Sequence, residues 1–298
     1  MTSTVVKNLL GHSILKWGGL SNMNTIRYQV KTLRVAEDIA NEVLYVPPME
    51  AEGDPKMLIY FGGDVQDFRD HMIKHRDNHK YQDWCLEATS QLLSKSSPGS
   101  HILIIKPSVL ELGTFSCYHN FVESNKFGAP THSMETTKAW HHLRSLLLSL
   151  QSQTLGEKHW DQIPKTLVGF SKGTVVLNQL LIELAQLSKA QPSLDMFANS
   201  VEKWCWLDGG HSGGKLTWIT QKDYLEHMVL RKYKVEVRVT PYQVNDGLRP
   251  WIKQEEKRFS GFLGRSGLTF RRAKYFEEEA PSIANHFRIL HTLVDEPL

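Results

Sequence analysis

Short apolar runs alternate with longer stretches of helical periodicity from about residue 26 to the end of the chain. The strand-like runs are 42–46, 57–61, 101–106, 165–170, 203–208, 234–240 and 268–275. Helical patterns fall between them at 80–95, 133–151, 172–189, 219–231, 248–260 and 282–292. In 172–189 the residues Val175, Val176, Leu180, Leu181, Leu184 and Leu187 keep one face over successive turns. Runs such as His101–Ile105 and Thr166–Phe170 are apolar without alternation, the pattern of parallel strands covered on both faces. Strand–helix alternation at this spacing predicts an α/β fold, an open, mostly parallel sheet with helices on both sides. No internal repeat interrupts the pattern. Segment 107–132, with Phe115, Tyr118, Phe121 and Phe127, has no period and reads either as a lid over a site or as a long packed connection.

Composition narrows the class. The chain has 298 residues, 41% hydrophobic and 22% charged, which excludes collagen-like and wholly disordered chains. A net charge of +3 is too near balance to make nucleic acid the main partner. No apolar run approaches the ~18 residues that span a bilayer. Three cysteines, Cys85, Cys117 and Cys205, include no CxxC pair and supply no disulfide framework. A soluble intracellular globular protein is expected. Residues 1–36 contain Lys7, Lys16, Arg27, Lys31 and Arg34 but no acid before Glu37. Residues 1–25 therefore read as a basic arm, either packed on the fold or serving as a mitochondrial targeting segment, ahead of a single domain at 26–298.

The chemistry centres on Gly169-Phe170-Ser171-Lys172-Gly173, a GxSxG match. A nucleophile elbow needs a buried strand that turns sharply into a helix, and glycines where side chains would collide with the neighbouring strand and helix. Ser171 has a strand before it and a helix after it. A second match, Gly210-His211-Ser212-Gly213-Gly214, lies in a glycine-rich loop with no helix following. The same loop contains G-x4-G-K, yet Leu216 occupies the position where a phosphate-binding loop places Ser or Thr. Ser171 is the expected nucleophile.

A serine nucleophile needs a base, and the base an orienting acid. With the chain order Ser, acid, His, the histidine follows the last strand. His286 meets that requirement and His291 is the weaker candidate. For the acid, Asp246 in the turn-forming loop after strand 234–240 is favoured, and Asp208 after the preceding strand is the alternative. The oxyanion hole is expected from the N–H groups of Lys172 and of Gly63, in the glycine pair after strand 57–61. Asp64 sits uncomfortably beside that hole and must turn its carboxylate away. The Lys172 side chain reads as facing either an anionic substrate or, more simply, solvent.

His71, His75 and His79 recur every four residues and would share a helix face, but Asp67, Asp70 and Asp77 among them fit a solvated polar surface better than a metal site. Trp204, Trp206 and Trp218 flank the glycine loop, as core packing or as walls of an acyl pocket.

The strings FGGDVQDF (61–68), VGFSKGTVVLNQLL (168–181), WLDGGHSGG (206–214), TPYQVNDGLRPW (240–251) and EEAPSIANHFRI (278–289) together resemble the mitochondrial protein family named after an open reading frame on human chromosome 2. The resemblance runs from about residue 26 to the end. It implies an α/β-hydrolase-like fold, a serine-lipase type motif at Ser171 and residence in the mitochondrial matrix, and it names no substrate. The expected function is a serine hydrolase acting on a small-molecule or lipid ester or thioester, without metal or organic cofactor. The alternative is a catalytically silent hydrolase fold serving as a mitochondrial binding or regulatory protein.

Overall fold

The computed structural model describes residues 26–50, 53–154, 159–187 and 191–298, with the backbone of Val6–Lys7 and Ser13–Ile14. The basic arm at 1–25 otherwise lies outside the described residues. Eight strands form the main sheet: β1 (Gln29–Arg34), β2 (Ala40–Val46), β3 (Lys56–Phe61), β4 (Ser100–Ile105), β5 (Lys165–Phe170), β6 (Val201–Leu207), β7 (Lys234–Val239) and β8 (Phe270–Lys274). Their spatial order is β8-β7-β6-β5-β3-β4-β2-β1. Only β2 runs against its neighbours, antiparallel to both β1 and β4. All other pairs are parallel.

Among the described residues ten α-helices connect and flank the strands: α1 (Arg69–Lys74), α2 (Leu86–Ser96), α3 (Lys138–Gln153), α4 (Thr174–Glu183), α5 (Pro192–Asn199), α6 (Lys222–Leu230), α7 (Pro241–Val244), α8 (Pro250–Arg265), α9 (Ile283–Arg288) and α10 (Thr292–Asp295). Alternate strand residues serve two cores. Leu58, Tyr60, Ile102, Ile104, Val168, Phe170 and Leu207 face α2, α9 and α10 through Leu86, Leu93, Phe287 and Leu293. Met57, Ile59, Leu103, Leu167, Trp204 and Val237 face the other way, against α3, α4, α5, α6 and α8. Covering both faces is what removes the apolar–polar alternation from the strands. This is the open, mostly parallel α/β sheet predicted from the alternation of elements, in the α/β-hydrolase-like form that the family resemblance implies.

The register brings the functional loops to one edge. Phe61 pairs with Gly169, Phe170 with Leu207, and Leu207 with Arg238. The chain therefore leaves β3, β5, β6 and β7 side by side, where the neighbours of β5 belong to different directions of winding. Such a switch point leaves a crevice outside the carboxyl ends of the strands.

Several details depart from the sequence pattern. Strand β1 is not predicted, because its buried positions are Lys31 and Leu33 and, apart from Val30, its other residues are polar. The stretch expected as helix 172–189 is a 3-10 turn at Ser171–Gly173, then α4, then a second 3-10 turn at Leu184–Gln186. His71, His75 and His79 do not share one helix, since α1 ends at Lys74. His71 instead bonds Asp67, and His75 accepts the N–H groups of Asp77 and Asn78. Among the described residues no group of three or more His, Cys, Asp or Glu is placed to hold a metal ion. Trp204, Trp206 and Trp218 are core residues, with Trp206 against Phe259 of α8. Segment 107–132 forms two short hairpins, Val109–Glu111 with Phe115–Cys117 and Glu123–Ser124 with Pro130–Thr131. Its Tyr118, Phe121 and Val122 enter the core.

The chain packs closely at Gly173, in the turn after β5. A Cβ there would stand 2.0 Å from the Phe61 carbonyl oxygen and 2.7 Å from that of Gly62. Gly173→Ala is expected to destabilise at the upper end of the about 1–3 kcal/mol that overpacking costs, read as a lowered Tm. Gly214→Ala, where a Cβ meets nothing within 4 Å, is expected to leave Tm unchanged.

Acid should also loosen the fold. Burial pushes His132, His142 and His211 down to about 4. Between their unfolded pKa of about 6.5 and that value the unfolded chain binds more protons, so stability is full above pH ~6.5 and is lost as pH falls towards 4. Glu183, pushed up to about 7 by burial, acts in the opposite sense. With His227 lowered by burial as well, the histidines outnumber Glu183 and Asp64, both raised by burial, and unfolding monitored at pH 7, 5.5 and 4.5 is expected to show a falling Tm.

Candidate active site

Ser171 occupies the turn from β5 into α4 with φ 51°, a left-handed conformation that a non-glycine residue adopts only under constraint. Gly169 permits it, because a Cβ there would lie 2.9 Å from the Thr174 Cα. The Ser171 carbonyl is fastened by the Thr174 hydroxyl at 2.7 Å and the Gly210 N–H at 3.4 Å. Its side chain is left at the carboxyl edge of the sheet and lines a cavity of about 440 Å3. Also lining it are Asp64, Phe115, Lys172, His211, Arg249 and His286.

His286 lies in α9, whose N-terminus is capped by the Ser282 hydroxyl accepting the Asn285 N–H. Its ring is held between Phe170, at 4.6 Å between centroids, and Tyr242, at 4.8 Å. His286 Nδ1 is 2.7 Å from Asp208 Oδ2, so Nδ1–H donates to the carboxylate and Nε2 is left without a hydrogen bond to any described residue. Asp208 directly follows β6, fully buried and with φ 45°. The Thr240 N–H donates to its Oδ1 at 2.7 Å and the Thr240 hydroxyl to its Oδ2 at 2.6 Å. Three hydrogen bonds thus satisfy a carboxylate removed from water, as burial of a charge requires.

Asp246, favoured in the sequence analysis as the partner of His286, lies elsewhere. Its Oδ1 accepts the Leu248 N–H at 2.8 Å and its Oδ2 the Arg249 Nε–H at 2.7 Å. Against the opposing effect of its slight burial, the Arg249 guanidinium and the Leu248 N–H hold the Asp246 carboxyl below its ordinary pKa. The physical reason is the helical turn α7: Pro241–Val244 carries the chain away from the sheet edge before Asp246 is reached. His291 is exposed beyond the end of α9. Ser212 donates weakly to the Phe127 carbonyl at 3.4 Å.

The expectation for Gly63 also needs correction. Its N–H donates to Gln66 Oε1 at 3.0 Å and is already engaged. Gln66 is fully buried, and its amide also bonds Tyr60, Trp84 and Thr89. The Gly62 and Gly63 carbonyls are taken by the Tyr118 and Ser116 hydroxyls, and the Val65 N–H by the Thr114 carbonyl. Among the described residues the Asp64 N–H, whose residue lines the cavity, makes no hydrogen bond. The loop runs directly against the Ser171 turn, since a Cβ on Gly63 would stand 2.7 Å from the Ser171 Cβ.

Lys172 does not face solvent, although it contributes to the cavity wall. It is 2% exposed, with Nζ donating to the Phe127 carbonyl at 2.7 Å and pairing with Asp64 Oδ2 at 3.2 Å. Asp64 Oδ1 accepts the Ser116 N–H at 2.8 Å, so the carboxylate turns away from the loop's free N–H. Burial raises the Asp64 pKa, and the Lys172 ammonium works against that rise. His211 is neutral at pH 7: its Nδ1 accepts the Gly213 N–H, and burial holds it at about 4. Thr240, Tyr242, Gln66 and Arg249 all shape the site, and nothing in their local sequence marks them out, because each acts across the sheet edge.

The model of the C2orf69 family matches residues 29–166 and 157–269. The human protein named mitochondrial protein C2orf69 is 37% identical over 281 residues, covering 78% of this chain and 72% of that protein. The mouse homologue is 36% identical over 300 residues, covering 84% and 82%. The Danio rerio homologue is 41% identical over 246 residues, covering 78% and 72%. Among solved structures, poly(aspartic acid) hydrolase-1 from a Sphingomonas species aligns with a TM-score of 0.50 at 10% identity, over 90% of this chain and 98% of that chain. A dienelactone hydrolase from Anabaena variabilis aligns with a TM-score of 0.44 at 11% identity, over 91% and 99%. At 10% identity the likeness to the Sphingomonas protein speaks for the fold alone. The match of the family model and the identity to three curated members establish that the chain belongs to the C2orf69 family.

Proposed function

We propose that the protein is a serine hydrolase of esters or thioesters, with Ser171 as nucleophile, His286 as base and Asp208 as orienting acid. The observation that carries this reading is the 2.7 Å bond from His286 Nδ1 to a buried Asp208, on a histidine that shares one cavity with a left-handed serine. With Nδ1–H donated to Asp208, Nε2 takes the Ser171 proton as Oγ attacks the acyl carbon. The tetrahedral oxyanion is stabilised by the N–H groups of Lys172 and Asp64. His286 then protonates the leaving oxygen or sulfur, and water repeats the sequence to release the acid and restore Ser171. The Asp64 carboxylate, drawn to Lys172 and Ser116, does not oppose the oxyanion, and this favours the hydrolase over a silent fold. No step draws on a metal or an organic cofactor.

A fluorophosphonate probe is expected to label the wild-type protein and not Ser171→Ala. Labelling that survives this substitution, or a folded protein that never labels, would sink the reading. For a chromogenic ester, Asp208→Asn is expected to lower kcat by about 10^4-fold, as misorienting the base does in other serine hydrolases, and Asp246→Asn by far less. The reverse ranking would return the acid to Asp246.

The curated relatives are named mitochondrial proteins, and the acid-free basic stretch before Glu37 fits import. We assign the protein to the mitochondrial matrix. Resistance to protease in intact mitochondria and in mitoplasts is the expected result, and digestion in mitoplasts would exclude the matrix.

A further inference from the structure

Resting on the serine-hydrolase reading, we propose that Arg249 selects substrates bearing an oxyanionic group, a carboxylate or a phosphate, on the part held beside the scissile carbonyl. The cavity has apolar walls at Val65, Phe115, Ile283 and Phe287, and two side-chain cations, Lys172 and Arg249. Lys172 is neutralised within the wall by Asp64 and tied to the Phe127 carbonyl. Arg249 is engaged differently. Its Nε donates to Asp246 at 2.7 Å and its Nη1 reaches the His211 carbonyl only at 3.4 Å. Its Nη2 makes no hydrogen bond among the described residues.

A guanidinium carries five donors in a planar fork suited to bidentate grip of a carboxylate or phosphate. Asp246 takes one edge through a single nitrogen and does not line the cavity. Arg249, which does line it, keeps its remaining donors for an anion there. The surroundings strengthen this field. Arg249 is the N-cap residue of α8, a helix of 16 residues with no acid in its first turn, so the positive end of the helix dipole lies beside the guanidinium. Glu255, one turn further, is occupied by the N–H groups of Leu216, Thr217 and Trp218. His211, held at about 4 by burial, is neutral and supplies no second cation.

The test compares esters of matched length on the intact protein: 4-nitrophenyl hexanoate, its adipate half-ester, and the corresponding ester ending in a phosphonate. A charge-assisted contact is expected to raise kcat/KM for an anionic ester about tenfold or more over hexanoate, chiefly through KM. Arg249→Met is expected to erase the preference and Arg249→Lys to keep part of it. Preference for the phosphonate over the adipate, or the reverse, identifies which oxyanion the site takes. Equal Ser171-dependent turnover of all three esters by the wild-type protein overturns this proposal and leaves the hydrolase standing. Turnover of none above the Ser171→Ala level removes the hydrolase reading instead. A preference that persists in a folded Arg249→Met protein refutes the role of Arg249. Should Arg249→Met fail to fold, the wild-type ratio alone decides, with equal rates against the proposal.

Discussion

The absence of a side chain at Gly173 sets the distance between the turn that follows β5 and the carbonyls at the end of β3. Only hydrogen fits where a Cβ would stand 2.0 Å from the Phe61 oxygen. That approach lets α4 begin directly against the sheet and leaves Ser171 no room but the left-handed conformation in which it is found. The loop Gly62–Val65 then lies against the serine turn, so the two stretches that border the cavity are fixed by one packing contact. The hydrogen bonds of Tyr118, Ser116 and Gln66 to this loop hold the other side of the same approach.

Charges around this edge are buried in matched sets. Asp208 is enclosed with Thr240 and His286, and Lys172 with Asp64 and the Phe127 carbonyl. On β7, Arg238 is fully buried with Glu236 and donates to the Thr292 hydroxyl and carbonyl, tying α10 to the strand that leads to Thr240. Removing one partner from such a set leaves an uncompensated charge, so the sets act as fasteners between elements distant in sequence. Through Lys172, segment 107–132 is fastened to the Ser171 turn and reaches the cavity with Phe115.

Much of the architecture is legible in the chain because burial imposes a pattern on residues. Strands covered on both faces must be apolar throughout, and helices beside them apolar on one face, so β3 to β7 and α3, α4, α6 and α8 declare themselves. Elements whose buried positions are few or polar do not. Strand β1 buries Lys31 beside Leu33, and α7 is four residues long within a stretch that reads as a turn. The serine turn is equally plain, since its glycines answer a local steric demand. The acid is not. Asp208 and Asp246 each follow a strand, and nothing near either shows that α7 carries one of them away from His286. The same holds for Gly63, whose N–H looks free until Gln66 folds back onto it.

By itself the sequence determined the alternating elements, the parallel sheet and the single serine that a strand delivers into a helix, because these depend on periodicity and on contacts within a few residues. The tertiary structure alone decided which aspartate meets His286, which N–H groups remain unbonded beside Ser171, and that Lys172 is spent on Asp64 while Arg249 lines the cavity. Those outcomes depend on competition among partners drawn from four different strand ends, and such competition is resolved only when the register of the sheet sets the distances.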